Sequence, residues 1–227
     1  MASKIWRWLV HTAFRLLYNE FAWTYDLVSW SVSLGEWRKW QAAGLPFVRG
    51  DRVLEIAHGP GHMLLALAKS GRQVTGVDLS PFMGRIAARR LRRAGRQPAV
   101  ARGTAQALPF RAHAFETVYC TFPTYFIAER RTMEAIHRVL CGGGRYIIIP
   151  EGHLTGGGLV QGFISWLYKI TGQRDDVFAV DDEESWPART PRWLAFRQAM
   201  QETGFEIDVQ RRVLGRSEVT VVIATRV

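Results

Sequence analysis

Two apolar runs and the glycine turn between them constrain this chain more than any other feature. Val53-Leu54-Glu55-Ile56 leads into Ala57-His58-Gly59-Pro60-Gly61-His62, and Val74-Thr75-Gly76-Val77 ends in Asp78, about twenty residues past the turn. A buried strand, a glycine turn opening a helix and a second strand ending in an acid form the order of a βαβ unit that holds a ribose-bearing ligand. Glycine lets backbone amides at a helix start approach a polar group with no Cβ in the way. A dinucleotide fingerprint, G-x-G-x-x-G, would need glycines at 57, 59 and 62, where Ala57, Gly59 and His62 stand; the spacing is E-x-x-x-G-x-G.

The alternation continues past this unit. The pattern predicts strands over 52–57, 73–78, 98–103, 115–121 and 144–150, with helices over 61–70, 81–93 and 129–140. That rhythm gives an α/β fold, a parallel sheet with helices on both faces. Gly142-Gly143-Gly144 reads as the stop of the third helix, turning the chain into the continuous apolar run Tyr146-Ile147-Ile148-Ile149. Residues 151–190 then break the pattern with glycines, an apolar stretch from Leu159 to Ile170 and the acids Asp175, Asp176, Asp181, Asp182, Glu183 and Glu184. Forty residues are too many for a simple connection, so this segment reads as an inserted lid that shapes a substrate site. A helix over 191–203 leads to β-rich stretches at 205–213 and 217–226, an antiparallel hairpin with its turn at Gly215 and Ser217.

Length and composition point to one domain over 1–227, with residues 1–48 as an N-terminal helical cap. Ile5, Trp8, Leu9, Ala13, Leu16 and Leu17 recur there at helical spacing, opposite Arg7, His11 and Arg15. Trp6, Trp8, Trp23, Trp30, Trp37 and Trp40 all fall in this cap, a load that suits packing on a core or a helix lying in a lipid interface. Cys120 and Cys141 suggest no disulfide framework and fit a cytoplasmic protein. The longest uncharged stretch, Gly152 to Tyr168, is diluted by glycines and polar residues, so a membrane span is not expected, while peripheral association stays open. The net charge of +10 is almost all arginine, 26 against 4 lysines. Arg85, Arg89, Arg90, Arg92, Arg93 and Arg96 alternate with Ile86, Ala87, Ala88 and Leu91, either the solvated face of an amphipathic helix or a site for a polyanion.

Further segments follow in a specific order. Gly103-Thr104-Ala105-Gln106-Ala107-Leu108-Pro109-Phe110 resembles G-D-A-x-x-L-P-F, Phe115-Glu116-Thr117-Val118 resembles F-D-x-V, and His137-Arg138-Val139-Leu140-Cys141-Gly142-Gly143-Gly144 resembles R-V-L-K-P-G-G-x. With the E-x-x-x-G-x-G turn and Asp78, this set resembles the class I S-adenosylmethionine-dependent methyltransferases, which usually carry a further glycine where this chain has Ala57. The cap segment Tyr25-Asp26-Leu27-Val28-Ser29, with Ser33-Leu34-Gly35 and Trp37-Arg38-Lys39-Trp40, is similar to the start of the ubiquinone and menaquinone C-methyltransferases. Thr121-Phe122-Pro123-Thr124-Tyr125-Phe126 and the 151–190 insertion are not. The resemblance implies a Rossmann-like, seven-stranded, mostly parallel sheet whose last strand runs antiparallel.

It also implies roles. S-adenosyl-L-methionine would be the cofactor, with no metal: Gly59 and Gly61 beside its methionine part, Glu55 toward its amino group, Asp78 on the ribose hydroxyls and Leu79 against the adenine. Ala57 and Thr121 would border the same site. Thr104 and Ala105 stand where the family often has Asp-Ala at the adenine edge. Threonine is the weaker acceptor, which shifts adenine contact toward backbone groups. His58 and His62 flank the turn as ordinary loop and helix-start residues.

Methyl transfer from a sulfonium is an in-line displacement that gains most from alignment in a water-poor pocket. Tyr25, Tyr125 and His153 are the catalytic candidates, and His153 is the only good base among them by its ordinary pKa. Rings of Tyr25, Phe122 or Tyr125 can also face the sulfonium charge. The expected acceptor is a small apolar, aromatic or lipid-like molecule. Two other readings stay open: a nucleic-acid methyltransferase, motivated by the charge, and a non-catalytic cofactor-binding adaptor at a membrane surface.

Overall fold

The computed structural model describes residue 29 and residues 33–155 and 191–227. Most of the cap, including Tyr25, and most of the 151–190 insertion lie outside the described residues. Eight strands follow in chain order: β1 (Arg52–Ile56), β2 (Gln73–Asp78), β3 (Val100–Arg102), β4 (Phe115–Thr121), β5 (Leu140–Ile149), β6 (Gly152–Leu154), β7 (Phe205–Val213) and β8 (Ser217–Arg226). Among the described residues five α-helices accompany them: α1 (Trp37–Ala42), α2 (His62–Lys69), α3 (Pro81–Arg93), α4 (Arg130–Val139) and α5 (Pro191–Glu202).

The sheet order is β3-β2-β1-β4-β5-β8, with β7 on the far side of β8. Strands β1 to β5 run parallel, and β8 runs antiparallel to both β5 and β7. The short β6 also pairs with β8, through Gly152 opposite Val219, and lies in line with β5 along one side of β8. It is an eighth strand that the residue pattern does not announce.

Register divides the core. Leu54, Ile56, Val118, Cys120, Tyr146, Ile148, Val222 and Ala224 meet α4 and α5 through Met133, Ile136, Phe196 and Met200. The alternate residues Val53, Tyr119, Ile147, Ile149, Val221 and Ile223 meet α1 and α2 through Trp40, Met63 and Leu67. Both faces are covered, which is why β1, β4 and β5 read as continuous apolar runs rather than alternating ones. Helix α3 packs beside α2 over β2 and β3, Ala87 and Leu91 against Leu64 with Val74 and Val100 alongside. It begins cleanly because Ser80 Oγ accepts the Met83 amide at 3.2 Å and Pro81 supplies a first residue that needs no partner for its nitrogen.

Two boundaries differ from the sequence reading. Helix α4 ends at Val139 because Leu140 is already extended, and β5 starts at Leu140, ahead of the three glycines. Those glycines form an irregularity in the strand: the β4 to β5 register shifts between Phe115 and Thr117, and Gly143 takes φ +69°. A Cβ on Gly144 would lie 3.1 Å from the Glu116 carbonyl oxygen, so glycine lets the two backbones pass closely. Strand β3 is also shorter than expected, three residues at the sheet edge.

Candidate functional site

The chain leaves β1 toward β2 and β3 on one side and returns to β4 on the other. A crevice therefore opens at the carboxyl ends of β1 and β4, the place where open α/β sheets bind ligands. Ala57, Gly59 and Gly61 line the turn there with φ of +51°, +52° and +78°. The two glycines serve different ends. A Cβ on Gly59 would meet nothing within 4 Å, leaving its backbone open to a ligand, whereas one on Gly61 would lie 2.6 Å from Ala87 Cβ. Gly61 is thus needed for the approach of α3. Ala57, exposed, holds the left-handed backbone without glycine's freedom.

Asp78 ties the turn to the second strand. Its Oδ2 accepts the Gly59 amide at 2.8 Å and its Oδ1 accepts the Ser80 amide at 2.8 Å. A carboxylate has about four acceptor positions, so lone pairs remain for hydroxyls of a ligand. Leu79, next in the chain, is 63% exposed and offers a flat apolar surface beside that carboxylate. The Gly103 amide donates to the Asp78 carbonyl at 3.1 Å, which brings exposed Thr104 and half-buried Ala105 to the same rim.

Glu55 lies under the turn, 1% exposed, and neither carboxylate oxygen has a hydrogen-bond partner. Burial, with the nearby Asp78 charge adding to it, pushes its pKa well above the ordinary carboxylate range; the Leu64 backbone pulls weakly the other way. His58 is buried as well. Its Nδ1 lies 2.7 Å from the Gly59 carbonyl oxygen, which can only accept, so the proton sits on Nδ1 and the unpartnered Nε2 is the lone-pair side. Burial lowers the pKa of this ring, opposed by Asp78. Gly76 makes room for it, because a Cβ there would be 2.8 Å from His58 Cδ2. The residue read as an ordinary loop histidine is thus part of the floor of the turn.

An aromatic wall stands at the end of β4. Phe122, directly after β4, takes φ +49° and is held by its amide donating to the Ile149 carbonyl at 2.7 Å. Its ring lies 4.0 Å from that of Trp37 and edge-on to Trp40 at 6.3 Å. Thr121 Oγ1 accepts from Gln41 Nε2 at 3.1 Å, and the Tyr119 hydroxyl donates to the Gln41 carbonyl at 2.6 Å, so α1 is fastened to β4 beside the site. The bond of Gln41 to Thr121 spans 80 residues and leaves no sequence pattern. Phe122 carries its own signal, a bulky residue in left-handed backbone, but only in three dimensions.

The catalytic candidates are less closely gathered. Tyr125 opens a single 3-10 turn after β4 and is 71% exposed. His153 lies on β6 opposite Glu218, half-exposed, with Nε2 3.2 Å from Glu151 Oε2. That carboxylate raises the pKa of the ring. Tyr25 lies outside the described residues. Among the described residues there is no cluster of three or more groups suited to a metal.

The unpartnered Glu55 carboxylate calls for a cationic donor, Asp78 for hydroxyls, and Leu79 for a flat ring. S-adenosylmethionine offers an ammonium, a ribose diol and an adenine in that order, so the residues present fit it.

Comparisons with known proteins agree. Residues 53–144 match the family model described as a methyltransferase domain. Demethylmenaquinone methyltransferase of Chlorobaculum parvum is 30% identical over 211 residues, covering 86% of this chain and 85% of its own. An uncharacterized protein of Mycobacterium tuberculosis is 37% identical over 108 residues, a match spanning only 39% of that relative's length and 46% of this chain. Among solved structures, geranyl diphosphate C-methyltransferase of Streptomyces coelicolor, in complex with geranyl diphosphate, Mg2+ and S-adenosyl-L-homocysteine, superposes with a TM-score of 0.57 at 16% identity, covering 86% of this chain and 82% of its own. A SAM-dependent methyltransferase of Thermotoga maritima gives 0.57 at 18% identity over 99% of both chains. At such identities the superpositions speak to the fold.

Proposed function

We propose that this chain, which belongs to the class I S-adenosylmethionine-dependent methyltransferases, transfers the cofactor's methyl group to a small apolar or aromatic, lipid-like acceptor. One observation carries the reading: a buried carboxylate with no partner, Glu55, lies beneath a glycine turn that Asp78 clamps at the sheet's switch point. When bound, the cofactor supplies an electrophilic methyl on a cationic sulfur. The chain's own part is to bind, orient and keep out water. Glu55 would gain an ammonium partner, Asp78 would hold the ribose, and Leu79 would cover the adenine.

The acceptor class rests on the wall of Trp37, Trp40 and Phe122, which suits a flat or branched apolar molecule better than a charged one. The demethylmenaquinone methyltransferases among the relatives support the same chemical class. Such an acceptor leaves little work beyond alignment, except removal of a proton from its hydroxyl or carbon. His153, paired with Glu151, is the candidate proton acceptor. The pair raises its pKa, so a reaction that uses the neutral ring gains rate as pH rises through that raised value.

Incubation of the protein with methyl-labelled cofactor and a fractionated lipid and metabolite extract tests the reading. Label is expected in an apolar, low-mass fraction. Label in nucleic acid, or cofactor bound with no transfer to any fraction, overturns it.

A further inference from the structure

The positive charge of this protein is concentrated in one stretch. Residues 79–115 hold eight arginines and no lysine, aspartate or glutamate, so they carry eight of the net ten positive charges. In the fold these residues become α3, the edge strand β3 and the loop that follows it, one flank of the sheet. At about 100° per residue, Phe82, Arg85, Arg89, Arg92 and Arg93 of α3 fall within roughly a 100° arc. All five are exposed, whereas Met83, Ala87, Ala88 and Leu91 occupy the buried side. Arg96, Arg102 and Arg111 are exposed on the same segment. Among the described residues, none of Arg85, Arg89, Arg92, Arg93, Arg96 or Arg111 is ion-paired with an acid, whereas Arg52, Arg130, Arg211 and Arg216 are.

We infer that this flank is a docking surface for an anionic lipid bilayer. A helix with an arginine stripe and an apolar residue on the same face lies naturally in a headgroup layer, where guanidinium groups meet lipid phosphates and Phe82 enters the acyl boundary. The composition separates this occupant from nucleic acid. A single-strand site interleaves cations with open aromatic faces on which bases stack. Here Phe82 is the one exposed aromatic on the stripe, and the Arg85 guanidinium already covers its ring, 4.4 Å from the centroid. Phe82 also lies at the N-terminal end of α3, one turn from Leu79 at the rim of the cofactor crevice. A bilayer against this flank therefore sits beside the rim of the cofactor crevice. The inference does not depend on methyl transfer: binding is measured without turnover.

Flotation of the full chain with vesicles tests it, comparing phosphatidylcholine alone with phosphatidylcholine containing one part in three phosphatidylglycerol. Binding is expected only to the anionic vesicles, and to fall steeply with added salt. Replacing Arg85, Arg89, Arg92 and Arg93 together by glutamine should weaken it several hundredfold, about fivefold per arginine. The same four positions changed to lysine should restore most of it. Calorimetric binding of S-adenosylmethionine should be unchanged in both variants, which shows them folded and separates this result from the fate of the proposed reaction. Three results would overturn the inference: no preference for anionic vesicles, full binding by the glutamine variant (which would move the contact to the Trp-rich N-terminal segment), or tighter arginine-dependent binding to RNA at the same salt.

Discussion

The Gly59 amide donates to Asp78 Oδ2 at 2.8 Å, so the glycine turn and the acid that follows it by 19 residues form one clamped unit. Asp78→Ala removes the anchor for the turn and, with it, the proposed acceptor for the ribose. Cofactor affinity should fall by about 1.5 to 3 kcal/mol, roughly ten- to more than a hundredfold. Titration calorimetry of parent and variant checks this. An unchanged affinity would show that the clamp serves the fold alone.

Glu55 gives a prediction whose sign depends on pH. Its folded pKa is raised by burial and by Asp78, so folding holds a proton that the unfolded chain releases above about 4.3. The free protein therefore loses stability as pH climbs from there toward the folded value. Glu55→Gln removes that slope. Thermal denaturation without cofactor should show the variant more stable than the parent at neutral pH, the gap closing as pH drops into the ordinary carboxylate range. Cofactor affinity should move the opposite way, lower in the variant, because an amide cannot pair with an ammonium as a carboxylate does. A variant less stable than the parent at neutral pH would mean that Glu55 is satisfied in solution.

Most of the sheet was legible because buried parallel strands write themselves as apolar runs. Val53 to Ile56, Val118 to Thr121 and Tyr146 to Ile149 all fall where the runs predict. The start of β5 was not, because three glycines read as a turn until the close passage of Gly144 by Glu116 is seen. The carboxylate at the tip of β2 and the open glycine were readable from spacing alone. The burial of His58, the hold of Gln41 on Thr121 and the stack of Trp37 on Phe122 were not, since each joins segments that only folding brings together.

Ala57 tests how far this chain departs from its family's glycine. Its φ of +51° costs an L-residue about 1 to 2 kcal/mol, while glycine in its place adds about 0.5 to 1 kcal/mol of backbone entropy to the unfolded chain. The methyl group is exposed, so little packing is lost. Ala57→Gly should be neutral to about 1.5 kcal/mol stabilising by urea denaturation. A clear destabilisation would mean that the methyl packs in solution.

Gly152→Ala probes the aromatic wall from behind. An added Cβ would lie 2.4 Å from Trp40 Cδ2, and Gly152 is not in the left-handed region, so crowding is offset only by the smaller entropy of the unfolded chain. Trp40 is 3% exposed and cannot retreat into solvent. Its ring must be displaced, and Phe122, which it meets edge-on, is already held by Ile149 and Trp37. Overpacking of this kind costs about 1 to 3 kcal/mol, readable in urea denaturation. Glu55 and Asp78 are untouched, so calorimetric cofactor affinity should stay near the parent's while KM for an apolar acceptor rises. Equal losses in both would place the damage in the turn rather than the wall, and no loss of stability would show that Trp40 has room that the packing around Gly152 denies it.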